Sequence, residues 1–171
     1  MASLIPAEVY PRSFALGLID GTKVHESLEW VRDNWQSAYK LYCSSTEFRL
    51  AADALTNGQF VPNDALTMIS LWGAIEAIFS PSTTELKFRV SSLVASYLHP
   101  PGTDRASKQK EIAKLYDKRS AAAHGKPKHG PEDLLATFEL LRKVLIKAIR
   151  DEEMPKRDKL DGLLFGSEAW L

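Results

Sequence analysis

Tyr116-Asp117-Lys118-Arg119-Ser120-Ala121-Ala122-Ala123-His124-Gly125 begins as the end of an amphipathic helix and stops at a glycine. Ile112, Leu115, Tyr116, Arg119 and Ala122/Ala123 fall on one stripe at i, i+3, i+4, i+7 spacing. That stripe should face a core or a partner helix, yet an arginine sits inside it. A guanidinium keeps its charge, so burying it is costly unless a carboxylate or a bound anion compensates. Three alanines follow and add almost no bulk, which lets another helix or a ligand come close. His124 then ends the helix, with Gly125 at the C′ position and Pro127 blocking continuation. At ~100° per residue, His124 lies about 140° around the helix from Arg119, still within reach of the long arginine side chain. A helix that brings a half-buried arginine and a terminal histidine to one place suits a phosphate site with an acid/base group beside it.

The rest of the chain reads as helices around this one. Its 171 residues fit one domain with room for a core, formal net charge is zero, and no low-complexity run or repeat is present. The single cysteine, Cys43, allows no internal disulfide and suits a reducing compartment. No signal peptide is evident, and the longest apolar run, residues 66–79, is short for a membrane span and carries Glu76. The expectation is a cytoplasmic protein without membrane association.

Residues 1–22 read as an irregular arm, with a short strand conceivable over 14–19. From Val24 the pattern turns helical: Leu28, Val31, Trp35, Ala38 and Tyr42 make a clean stripe. A second stripe, Phe48, Ala51/Ala52 and Leu55, continues past Ser44-Ser45, where the helix can kink or restart, and Asn57-Gly58 stops it. Trp30 lies off the first stripe, as a second packed face or a partner contact. Asn63 caps the next helix, in which Ile69, Trp72, Ile75/Glu76 and Phe79 share a face. Ser82-Thr83-Thr84-Glu85 reads as a capping box opening a helix with Leu86, Val90, Leu93, Val94 and Tyr97, and Arg89 lies within that apolar face. Glu76 therefore needs a cation: the expected partner is Arg89, the alternative Arg119.

Between Arg105 and Lys128 stand eight basic residues and two acidic ones, in an otherwise neutral chain. Lys110, Lys114 and Lys118 form one line that runs into Arg119 and His124 and continues with Lys126 and Lys128. A lysine line is ordinarily a solvated face, but focused on one site it attracts a polyanion. Gly130-Pro131-Glu132-Asp133 opens a fifth helix with a strong face of Leu134, Phe138, Leu141, Leu145 and Ala148/Ile149. Residues 154–171 form a charged linker and a short apolar tail that either packs back or engages a protein partner. The fold expected is all-α, a bundle of about five helices over 23–153.

Other chemistries find no support. The four histidines lack H-x3-H spacing, so a zinc site is not expected. There is no Gly-rich phosphate loop, no G-x-S-x-G and no H-E-x-x-H. Neither a metal nor a cofactor is expected.

Arg119 and His124, with four residues between, resemble the R-x4-6-H motif of the HEPN superfamily, small helical domains that are often metal-independent endoribonucleases. The fuller pattern Leu115-Tyr116-Asp117-x-Arg119-Ser120-x-x-x-His124-Gly125, with Trp72, Glu76, Phe79 and Arg89 upstream, is most similar to the Apea-like branch, associated with bacterial anti-phage and toxin systems. The resemblance spans residues 64–149. It implies that RNA, tRNA being one candidate, is cut by its own 2′-OH to leave a 2′,3′-cyclic phosphate. His124 would move protons and Arg119 would hold the phosphate, with Ser120, Glu76 and Tyr116 supporting and Lys114, Lys118, Lys126 and Lys128 binding RNA. It also implies a homodimer in which two motifs meet in one cleft. The superfamily usually carries Asn, Asp or His after the arginine, where this chain has Ser120, a shorter-reaching donor. A HEPN-like domain that binds RNA or nucleotide without cutting, or only dimerises, and a scaffold that engages a partner are the alternatives.

Overall fold

Seven helices and no strand make up the described residues, 21–58, 60–79 and 85–170, of a computed structural model. They are α1 (Gly21–Ser44), α2 (Thr46–Gly58), α3 (Asp64–Phe79), α4 (Leu86–Leu98), α5 (Thr103–Ala123), α6 (Pro131–Asp151) and α7 (Arg157–Phe165). The fold is all-α as expected, with two helices more than the five expected. One comes from Ser45, whose Oγ accepts the Phe48 N–H at 3.1 Å and donates to Glu47 at 2.8 Å, capping α2 and separating it from α1. The other is α7, in the tail. The strand conceivable over 14–19 lies outside the described residues. So does the capping box except for Glu85, which precedes α4 in the left-handed region at φ 54°.

α3 is the central rod. Met68, Leu71, Trp72, Ala74, Ile75 and Phe79 are buried along one broad face, while Leu66, Gly73 and Ala77 on the other side are exposed. It packs against α2, α4, α5 and α6. Asn63 Oδ1 accepts the Leu66 N–H at 3.1 Å, the cap that the sequence indicates. α4 is buried from Val90 to Tyr97, and its small residues Ser91, Ser92, Ala95 and Ser96 let α5 and α7 approach closely.

The tail folds back onto its own domain. Leu160 and Leu163 are buried, Arg105 donates to the Leu163 carbonyl at 2.9 Å, and Trp170 donates to the Tyr97 carbonyl at 3.4 Å. Lys147 sits between the Tyr97 and Trp170 rings, 5.4 and 5.6 Å from their centroids. α1 holds a different surprise. Trp30 and Leu41 pack on the core, whereas Leu28, Val31, Trp35 and Tyr42 of its apolar stripe are exposed. No helix of the described residues is long and apolar enough to cross a membrane.

Candidate functional site

α5 crosses α3, which brings Arg119 to the Glu76 carboxylate. Nη2 donates to Oε2 at 2.9 Å, with the two side chains only 24% and 18% exposed. Glu76 therefore does not pair with the expected Arg89. Arg89 precedes the enclosed stretch of α4 by one residue and is exposed, so it carries no desolvation cost that a partner must offset. Tyr116, one turn before Arg119, lies beneath the guanidinium, 5.6 Å from Cζ to its ring centroid. Its own ring meets Trp72 edge-on at 5.2 Å and 82°. Burial first, and then the adjacent Glu76 carboxylate, push the Tyr116 phenol above its ordinary pKa, with Arg119 opposing. Glu76 Oε1, Arg119 Nε and Trp72 Nε1 are buried without a hydrogen-bond partner, so this small cluster retains polar capacity of its own.

The helix end is built as the sequence indicates. His124 is the C-cap, and its N–H donates to the Ser120 carbonyl at 3.1 Å. Gly125 adopts φ 69°, where a glycine carries no Cβ penalty. Its N–H reaches the Ala122 carbonyl at 3.1 Å while that of Lys126 reaches Ala121 at 2.9 Å, the paired bonds of a Schellman turn. The turn leaves His124 exposed beyond the end of α5 and directs the chain into Lys126 and Lys128, also exposed. Ser120 is half-buried. Of the three alanines, Ala122 turns into the core and Ala123 outward.

The basic line is divided. Lys118 is drawn to Asp133, 3.4 Å away, and to the Lys128 carbonyl at 2.8 Å, so it ties α5 to the start of α6. Asp133 also accepts the Gly130 N–H at 3.0 Å, and that bond, with Lys118 assisting, holds its carboxyl below the usual range. Lys114, Lys126 and Lys128 are exposed. The two acids within the stretch are engaged, Asp117 by Lys87 at 2.6 Å and Glu111 by Lys108 at 2.7 Å. Lys87 is a cation beside α5 that the linear pattern misses, because it comes from α4. Asp133 is legible as a helix-start residue but not as the partner of Lys118, which depends on how α5 and α6 pack.

The structure therefore gathers Glu76, Tyr116 and Arg119 into one cluster. It sets His124 at the open helix end five residues on, and Lys126 and Lys128 in the loop beyond. No family model, curated protein or solved structure matches the chain significantly.

Proposed function

We propose that the protein is a HEPN-type endoribonuclease that needs no metal, acting in the cytoplasm in a bacterial anti-phage or toxin system. The observation that carries this reading is the 2.9 Å Glu76–Arg119 contact at a helix end that terminates in an exposed histidine. Glu76 engages one edge of the guanidinium, and Tyr116 supports its face. A planar fork held in this way can offer the edge left outside both the Glu76 contact and the buried Nε to phosphate oxygens without first being ordered. RNA supplies the nucleophile. His124 takes the 2′-OH proton as the 2′-oxygen bonds to phosphorus, the P–O5′ bond breaks, and the leaving oxygen receives a proton. Arg119 stabilises the charge that builds on the five-coordinate phosphorus. In this reading two copies of the motif meet in one cleft, so that one His124 serves as base and the other as acid. Lys114, Lys126 and Lys128 add affinity without sequence preference, with Lys118 contributing less because Asp133 holds it.

One observation favours a second reading. The carboxylate already compensates Arg119, so a domain that binds RNA or nucleotide without cutting it would need nothing further from this pair. Incubation with total cellular RNA, tRNA included, in the presence of EDTA separates the two. The catalytic reading expects fragments ending in 2′,3′-cyclic phosphate, whereas intact RNA retained by the protein supports the second.

A further inference from the structure

The exposed face of α1 has a regular period. Val24, Leu28, Val31, Trp35, Ala38 and Tyr42 alternate spacings of four and three, an a/d heptad seam over 19 residues, or about 27 Å of helix. Trp35 is 54% exposed and Tyr39, flanking the seam, 66%. Ala38, at one seam position, packs on the core together with Trp30 and Leu41 of the neighbouring face, whereas Val24, Leu28, Val31, Trp35 and Tyr42 are exposed, so the seam is a second and largely exposed apolar side of α1.

We infer that this seam is the interface for a second copy of the chain, the two α1 helices pairing antiparallel about a two-fold axis level with residue 33. The fit of the layers argues for a second copy. Antiparallel pairing sets Val24 against Tyr42, Leu28 against Ala38 and Val31 against Trp35, a smaller side chain facing a larger one in every layer. The two-fold then repeats each layer. Parallel pairing would stack tryptophan on tryptophan in one layer and alanine on alanine in the next. Area agrees as well. Val24, Leu28, Val31, Trp35, Tyr39 and Tyr42, between 37% and 66% exposed, leave on the order of 100 Å² each, so covering them removes roughly 600 Å² per protomer, near the lower end of specific stable interfaces. A free helix would first have to nucleate at a cost. Here the bundle has already formed it, and a hydrogen bond to Asp53 at 3.2 Å holds Tyr42. The like charges that the two-fold brings near each other, Arg32 and its copy, are each matched by their own Asp33 at 2.9 Å. This interface lies on α1 and does not depend on the ribonuclease reading.

Light scattering on the full chain at high micromolar concentration tests it. Wild type is expected to be dimeric. Val31→Glu and Trp35→Lys should each halve the mass with unchanged circular dichroism, since both side chains are half-exposed. The double variant should regain the wild-type mass, because each glutamate then faces a lysine across the two-fold. If the motif helices pair as well, all masses double and halving by the single variants remains the readout. A monomeric wild type would overturn the inference, including one in which residues 1–20 cover the seam. So would single variants that keep the wild-type mass. Halving without rescue in the double variant would overturn the antiparallel register.

Discussion

Arg119 of α5 donates to Glu76 of α3 at 2.9 Å, and this bond joins the C-terminal part of α5 to the central helix of the domain. Each group sits in a stripe that is otherwise apolar, and each would be costly there alone. Arg119→Ala strands the carboxylate and should lower stability by about 1–3 kcal/mol. Arg119→Lys keeps the charge near Glu76 and should lose less. Urea unfolding of the two variants beside wild type measures the difference. Equal stability of Arg119→Ala and wild type would mean that the pair contributes nothing.

Acid should weaken the start of α6. Asp133 has its carboxyl held below the ordinary range, first by the Gly130 N–H and then by Lys118. A depressed folded pKa gives stability that is complete above the unfolded value of ~4 and is lost as pH falls through the folded value. Asp133→Asn should therefore cost about 1 kcal/mol at neutral pH and flatten this acid limb. Thermal unfolding from pH 7 to pH 2 would show it.

The stop at Gly125, the start at Pro131 and the cap at Asn63 were legible in the sequence because each depends on local backbone chemistry: a left-handed glycine, a proline without an N–H, a short polar side chain. The stripe through Ile112, Tyr116 and Arg119 was legible for the same reason, since helical phase is local. Partners across helices were not. Glu76 could be seen to need a cation, but whether Arg89 or Arg119 answers it depends on the crossing of α3 with α5. The stripe of α1 shows the limit most clearly: periodicity marked Leu28, Val31 and Trp35 as one face, but not that this face points away from the core. The tail was ambiguous until Leu163 and Trp170 were seen against α4.

On the ribonuclease reading, the exposed loop lysines bind RNA through its phosphates. Lys126→Glu with Lys128→Glu should weaken binding uniformly across sequences and reduce the salt slope by about 1 for each phosphate left without its lysine. Both residues are exposed, so the fold should be unaffected. Binding isotherms at several salt concentrations provide the check, and an unchanged slope would make this loop an ordinary solvated surface.

His124 bears most directly on whether this chain cuts RNA. It is exposed at the helix end, so His124→Ala should change stability by less than about 0.5 kcal/mol. Removing a general acid/base should still slow cleavage on the order of 10²–10⁴-fold. The decisive measurement is the RNA cleavage rate in EDTA for wild type, His124→Ala and Arg119→Lys, each shown to be folded and still able to bind RNA. The account predicts cleavage by wild type and severe loss in both variants, since lysine keeps the charge of Arg119 without its bidentate fork. Undiminished cleavage by His124→Ala, or a folded wild type that binds RNA and never cuts it, would contradict it.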